Sequence, residues 1–186
     1  MKSILILLKI ALKRLKIKTY KEDDDMNILV LDQATTSGYA VFEINNWEDD
    51  AILVEHGHYT AKGSDFEEKI FDLCRFASKL INEHEIDFVV LENVQAQSNI
   101  NTHKKLCMLL GALLELCDVE KVKYDIVSSN TWRTLIKPKK GMKRKELKQL
   151  AQKFVLDKYG VETTEDEADS ICLGTYYLQR EYNIEE

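Results

Sequence analysis

The sequence predicts an α/β fold in which a five-stranded mixed sheet is covered by helices on both faces. Residues 28–31 form a short, continuous apolar run, the pattern of a buried central strand. Two β-rich segments follow, residues 38–44 and 51–59, and the turn signal Asn45-Asn46 separates them. These three strands predict an antiparallel meander. Later strands alternate with helical segments, which indicates that part of the sheet is parallel.

The remaining elements follow from hydrophobic periodicity and from helix-capping signals. Ser64 with Glu67 is read as a capping box that opens a helix ending near Glu83. A final helix is predicted to begin at Thr164 with Glu167 as its capping partner. Between them lie a strand at 88–91, a helix at 102–116, a strand at 124–127 and a helix at 143–159. The predicted order is βββαβαβαα.

The composition is that of a soluble globular protein with one domain. The chain has 186 residues, of which 45% are hydrophobic and 31% are charged, and it contains only one proline. Its four cysteines lie far apart and include no C-x-x-C pair. We therefore expect reduced thiols in a cytoplasmic protein, rather than a zinc site or a disulfide framework.

Residues 1–25 form a basic, then acidic, segment ahead of the predicted first strand. The segment is apolar in part, but Lys9 interrupts the apolar stretch, which is too short and too charged to span a bilayer. A basic amphipathic helix on a membrane surface is one interpretation. We favour a dispensable extension followed by a single domain, residues 26–186, and expect no stable membrane association.

Positive and negative charges are concentrated in different parts of the chain. The net charge is −6, yet residues 137–148 carry seven basic residues and one acid. Residues 162–169 carry five acids and no base. Such a division is typical of a protein that binds metal with one segment and phosphate with the other, although two solvated helix faces would look the same.

Four acids are placed where a folded chain would bring them together. Asp32 and Glu92 each follow a short apolar strand directly, and Asp166 and Asp169 share one face of a helix turn. Two carboxylates ~4 Å apart in a partly buried site repel by about 4 kcal/mol, so a cation or a proton must offset them. Oxygen ligands suit Mg²⁺ or Mn²⁺. Taken singly, each acid could be a turn or cap residue.

Three segments of the chain resemble the ribonuclease H-like superfamily, and within it the RuvC-type Holliday-junction resolvases of phage and prophage. They are LDQATTSGYAVF (31–42), VVLENV (89–94) and DEADSICLG (166–174), and the resemblance spans residues 26–180. It implies a homodimeric endonuclease that cuts four-way junctions in branched DNA, within a bacterial or phage-infected cell. It also implies that Asp32, Glu92, Asp166 and Asp169 are catalytic and bind two Mg²⁺ ions, for which Mn²⁺ could substitute.

The basic segment and one polar loop supply candidate DNA contacts. Basic side chains near the acids would bind the phosphates that flank the scissile one. The candidates are Lys139, Lys140, Lys143, Arg144 and Lys145. Cellular members of the family carry an aromatic residue three positions after the second acid, where this chain has Gln95. We expect Gln95 to hydrogen-bond DNA, and a plain surface loop is the other interpretation.

Three alternatives remain open from the sequence. The segment at 31–42 also resembles the phosphate-binding hairpin of sugar kinases and actin-like ATPases, but Ala34 replaces a glycine and no second copy is present. The chain could be a non-catalytic DNA-binding or assembly module on the same fold. It could also be a related nuclease that acts on an RNA–DNA hybrid, a flap or other branched DNA.

Overall fold

A five-stranded mixed sheet organises the protein. The computed structural model describes residues 26–45, 51–96 and 98–182. The strands are β1 (Met26–Asp32), β2 (Thr36–Ile44), β3 (Ile52–Thr60), β4 (Phe88–Asn93) and β5 (Lys123–Ser128). Their order across the sheet is β3-β2-β1-β4-β5. The β1–β2 and β2–β3 pairs are antiparallel, whereas β1–β4 and β4–β5 are parallel. The predicted meander and the predicted parallel half are both confirmed.

The helices follow the predicted order, with one short addition. They are α1 (Phe66–Glu83), α2 (Ile100–Glu120), α3 (Ser129–Trp132), α4 (Arg144–Tyr159) and α5 (Glu165–Tyr182). A 3₁₀ turn at Arg133–Ile136 follows α3. Neither of these four-residue elements was predicted, because such short segments lack helical periodicity. Helix α2 begins earlier than the predicted residue 102, because the Asn99 side chain accepts hydrogen bonds from the N–H groups of Asn101 and Thr102.

The predicted capping box of α1 is wrong by one residue, whereas that of α5 is confirmed. Asp65, not Ser64, caps α1: its Oδ1 accepts the Glu68 N–H at 2.8 Å, and Glu68 Oε2 accepts the Ser64 N–H. The acid at position 65 is as good a cap as serine, so the spacing alone did not distinguish the two. At α5, Thr164 N–H donates to Glu167 Oε2 and Glu167 N–H donates to Thr164 Oγ1.

The two faces of the sheet bury separate cores. Leu29 and Leu31 point from β1 towards α1 and α2, whereas Ile28 and Val30 point towards α4 and α5. Because side chains alternate along a strand, Asp32 has the same orientation as Ile28 and Val30. The carboxyl group at the end of the central strand therefore lies on the α4–α5 face.

Residues 1–25, which we interpreted as a dispensable extension, lie outside the described residues. That interpretation therefore remains a prediction. Among the described helices, none is both long enough and apolar enough to cross a membrane.

We expect Gly174→Ala to destabilise the fold, because α5 packs on the sheet without room for a methyl group. A Cβ at Gly174 would lie 2.3 Å from Phe42 Cε2 and 2.9 Å from Val30 Cγ2, and both side chains are fully buried. The free energy of unfolding should fall by about 1–3 kcal/mol, measured by urea denaturation.

The matched control for this prediction is Gly111→Ala in α2. A Cβ at that helical glycine meets nothing within 4 Å, so the change should be neutral or stabilise by up to ~1 kcal/mol. Equal effects of the two substitutions would contradict the predicted packing constraint.

Candidate active site

The parallel pairing of β1 with β4 brings the two strand-end acids together. The ladder runs from Ile28↔Phe88 to Leu31↔Leu91, so Asp32 and Glu92 are the next residues on adjacent strands. Beyond the ladder, the Gln33 side chain continues the connection, since its Nε2 donates to the Glu92 backbone carbonyl. Gln33 is only 5% exposed. The two carboxylates are thus held against each other by backbone pairing and by a buried amide.

A close backbone approach at Gly38 places the third and fourth acids. Gly38 pairs with Asp32 across the β1–β2 ladder. A Cβ on Gly38 would lie only 1.8 Å from the backbone carbonyl oxygen of Asp166, so this position requires glycine. The first turn of α5 therefore rests on the strand beside Asp32. Asp166 faces the site from that turn, and Asp169, one turn further on, is 5% exposed.

Two histidines on the edge strand hold the same turn from its other side. His58 Nδ1 lies 2.8 Å from Glu167 Oε1, and His56 Nδ1 lies 3.7 Å from Glu167 Oε2. Burial alone would raise the pKa of Glu167, but the hydrogen bonds from His58 and from the Thr164 N–H lower it overall. Both histidines are partly exposed, and they also anchor α5.

Lys148 is a site residue that we did not single out from the sequence. It lies on α4, and its Nζ is 3.0 Å from Asp166 Oδ1, 3.4 Å from Glu165 Oε2 and 3.9 Å from Asp169 Oδ2. The side chain is 12% exposed. A signal was available, because Lys148 shares the helical face of Ala151 and Val155, both fully buried. A lysine on the buried face of a helix requires a buried acid as partner.

Trp132 and Arg133 complete the wall on the side of Glu92. Trp132 is 1% exposed, and its Nε1 donates to Glu92 Oε1 at 2.8 Å. The Arg133 guanidinium carbon lies 4.9 Å from the centroid of the Trp132 ring. The indole therefore fixes the orientation of the Glu92 carboxylate.

These groups surround an open cavity of about 420 Å³. All four predicted acids line it, as do the predicted DNA contacts Gln95 and Arg144. Gln33, Arg133 and Lys148 line it as well. The other predicted DNA contacts, Lys139, Lys140, Lys143 and Lys145, are exposed around the start of α4 and are not part of the described cavity wall.

Crowding of the acids raises their pKa values. Burial, followed by the charge of Glu92 and a hydrogen bond with it, raises the pKa of Asp32 to about 8. Burial and the charge of Asp32 raise the pKa of Asp169 to about 6. Burial also raises the pKa of Glu92, against the hydrogen bond from Trp132 and the charge of Arg133. Near neutral pH the raised pKa of Asp32 favours a protonated carboxyl group at this position, hydrogen-bonded to Glu92.

The residues present fit a hard divalent cation. The donors are carboxylate oxygens, and the Gln33 Oε1 is a further buried oxygen that has no hydrogen-bond partner among the described residues. In the arrangement seen, however, no three His, Cys, Asp or Glu side chains of the described residues form a ready-made ligand set. The Lys148 ammonium group lies among them instead.

We predict that the stability of the metal-free protein falls as pH rises from the unfolded pKa of Asp32, 3.8, to its folded pKa of about 8, with Asp169 contributing up to about pH 6. The folded-state pKa of Asp32, about 8, exceeds the unfolded value of 3.8, so the folded state keeps a proton that the unfolded state has lost. This stabilisation is complete below the unfolded pKa and is lost as pH rises through the folded pKa. Each kcal/mol lost should lower Tm by about 2–4 °C in a calorimetric pH series.

Asp32→Asn should remove most of this pH dependence and raise Tm at the alkaline end, because a neutral amide replaces the repelled carboxylate. Asp157→Asn, which changes an exposed acid on α4, is the control and should keep the wild-type slope. The same slope in all three proteins would show that Asp32 does not retain a proton.

Comparisons with known proteins identify the fold. The sequence matches no protein-family model and no curated protein. RuvC of Thermus thermophilus, solved in complex with a Holliday junction substrate, is similar in structure, with a TM-score of 0.65 at 12% identity over 83% of this chain and 96% of that chain. The yeast mitochondrial Holliday junction resolvase has a TM-score of 0.63 at 16% identity, covering 94% of this chain and 87% of that chain.

A third similar structure is that of the fowlpox virus Holliday junction resolvase. It has a TM-score of 0.58 at 16% identity, covering 83% of this chain and 99% of that chain. All three solved proteins are matched over most of their own length. The chain therefore has the ribonuclease H-like fold of the RuvC-type Holliday junction resolvases, as the sequence predicted.

Proposed function

We propose that this protein is a metal-dependent, structure-specific endonuclease that cleaves phosphodiesters in branched DNA, with the four-way junction as its substrate. One observation carries the proposal: Asp32, Glu92, Asp166 and Asp169, from three separate elements, line a single cavity that also contains basic side chains. The fold supports it, because similar structures include resolvases solved together with Holliday junction DNA. A nuclease needs four such acids to bind metal, whereas a non-catalytic binding module has no such reason to keep four mutually repelling acids together.

The four acids would hold two Mg²⁺ or Mn²⁺ ions. Such ions, when bound, activate a water molecule and offset negative charge on the leaving 3′ oxygen. The chain itself orients the acids before the ions bind. Trp132 fixes the Glu92 carboxylate and Gln33 ties the two strand ends, so little rearrangement is needed on the strand side of the site.

Basic side chains beside the acids would bind the DNA backbone. Arg133 and Arg144 line the cavity itself, and the exposed lysines at the start of α4 extend the positive surface away from it. Contacts to phosphate position DNA without reading its sequence, which suits recognition of a branched shape. Gln95, on the cavity wall, would add a polar contact near the branch point.

Cleavage of two strands in a symmetric junction calls for two sites related by a two-fold axis, so we propose a homodimer. Helix α2 offers a surface for it. Leu109 and Leu113 are buried against the sheet, whereas Met108 is 46% exposed and Val119 is 64% exposed. We further propose that the protein works in the cytoplasm of a bacterial or phage-infected cell, as the resemblance implies.

The first experiment incubates the purified full-length chain with each of four substrates, in the presence and in the absence of Mg²⁺ or Mn²⁺. Cleavage and binding of the four substrates are then compared. The substrates are a labelled four-way junction, a flap, a linear duplex and an RNA–DNA hybrid. Paired, symmetric nicks in the junction are expected. Cutting of every branched substrate would mean a looser debranching nuclease. Binding without cutting would favour a non-catalytic module, and neither binding nor cutting would favour the phosphate-binding hairpin.

We predict that Asp32→Asn lowers the rate of junction cleavage by about 10³-fold or more while junction binding is retained, because the substitution removes a ligand oxygen and not a DNA contact. Cleavage is measured under single-turnover conditions, and binding by fluorescence anisotropy. Asp157→Asn, with its exposed acid, should cleave normally. Cleavage retained by Asp32→Asn would refute the metal assignment.

Arg144→Ala should weaken binding to junctions of any sequence, because Arg144 lines the cavity and would contact phosphate. The slope of log affinity against log salt should fall by about 0.7–0.9 for each lost phosphate contact. Lys153→Ala, at an exposed position on the opposite side of α4, is the control and should bind as the wild type does. An unchanged salt slope in Arg144→Ala would place the DNA elsewhere.

A further inference from the structure

Lys148 lies on the helix side of the acid cluster, against the first turns of α5. Its ammonium group contacts Asp166 Oδ1 at 3.0 Å and reaches Asp169 Oδ2 at 3.9 Å. Its side chain is 12% exposed, so most of it is enclosed between α4 and α5. The contact with Asp166 is therefore a built feature of the site, unlike the surface ion pairs of exposed side chains.

Two of the three acids that hold Lys148, Asp166 and Asp169, are acids that would also hold a divalent cation. The third is Glu165, at 3.4 Å. A lysine side chain is ordinarily protonated near neutral pH, and the ion pairs with Asp166 and Asp169 keep the Lys148 ammonium group among the carboxylates. A divalent ion binds oxygen at ~2.0–2.1 Å when it is Mg²⁺, and it repels an ammonium group that shares its ligands. The two cations cannot both take the full set of Asp166 and Asp169 contacts.

The orientation of the acids agrees with this competition. Asp32 and Glu92 lie at adjacent strand ends, whereas Asp166 and Asp169 turn towards Lys148 on α4. Lys148 Nζ is the common centre of the contacts from Glu165, Asp166 and Asp169. Binding of an ion between the strand acids and the helix acids requires Asp166 to leave Lys148.

We propose that Lys148 is the protein's own counter-cation, which stabilises the acid cluster in the metal-free state and is displaced from it by the divalent ion. This inference rests on the proposed function. It adds an order of events to that function, in which metal binding displaces Lys148 from the acids. Lysine has a flexible four-carbon stem, so the ammonium group can turn while α4 stays in place. The cavity beside it already carries Arg133 and Arg144.

Displacement gives the released ammonium group a second role. Once it leaves the acids, Lys148 becomes a third cation on a wall that would face the DNA backbone. The metal-loaded protein should therefore bind a junction more tightly than the metal-free protein. Ca²⁺ can replace Mg²⁺ in this binding measurement, so that cleavage does not interfere.

The first test measures Mg²⁺ and Mn²⁺ binding by titration calorimetry in the absence of DNA. Lys148→Met keeps the length and the apolar stem of the side chain but removes the competing charge. It should bind the ion on the order of 10-fold more tightly than the wild type. Its metal-free Tm should be lower and the rise in Tm with Mg²⁺ larger. Lys148→Arg, which keeps the charge, should bind no tighter than the wild type.

The control is Lys153→Met, which removes an exposed charge from the same helix and should leave metal affinity unchanged. Equal or weaker binding by folded Lys148→Met, while the wild type binds metal, would overturn this inference and leave the proposed function intact. Absence of metal binding in both proteins would overturn the two proposals together.

A second test uses the wild-type protein alone, so it does not depend on the folding of a variant. Reductive methylation followed by mass spectrometry reports how accessible each lysine is. Addition of Mg²⁺ should raise the modification rate of Lys148 several-fold relative to that of exposed Lys153. A rate that is unchanged or reduced by Mg²⁺ would show that Lys148 stays with the acids.

Discussion

The repulsion between the carboxyl groups of Asp32 and Glu92 is the constraint on which the rest of the site depends. Parallel pairing of β1 and β4 places the two groups on adjacent strand ends, and burial removes the water that would screen them. Several features offset this repulsion. A proton stays on the pair, the Trp132 indole donates a hydrogen bond to Glu92, and Arg133 and Lys148 supply positive charge. The protein keeps a costly arrangement, which is typical of a functional site.

Helix α5 converts this pair of acids into a cluster of four. Its first turn can approach the sheet only because Gly38 has no side chain, and Glu167 ties the turn to His58 on the edge strand. Further along, Gly174 lets the same helix lie against Phe42 and Val30. Two glycine contacts and one polar contact thus set the depth and rotation of α5, and with them the positions of Asp166 and Asp169.

The positive charge that offsets the acids would come from different groups before and after metal binding. In the metal-free state a proton and a lysine partly neutralise the acids, and both would give way to divalent ions. A released Lys148 would add to the positive wall that binds phosphate. The separation of acidic and basic segments along the chain therefore becomes, in three dimensions, a cavity with acids in its floor and bases on its rim. Metal and DNA would bind next to each other.

The sequence by itself determined the order of the main elements, and it singled out the four acids that the fold brings to one cavity. Short apolar runs and helical periodicity depend on local residue types, so they can be read without knowledge of the fold. It also indicated that Glu167 caps α5. The capping position at α1 was missed by one residue, because Ser64 and Asp65 are both good caps and only the folded turn selects between them.

Only the tertiary structure decided which of the basic residues meets the acids. Lys148 stands in a run of seven basic residues that look alike in the sequence, and packing of α4 against α5 turns this one inwards while Lys139, Lys140, Lys143 and Lys145 stay exposed. Likewise, Gln33 reaches Glu92 and Gly38 meets Asp166 across 59 and 128 positions of sequence, respectively. Such contacts depend on strand order and helix depth, which arise from the packing of the whole chain and leave no local pattern in the sequence.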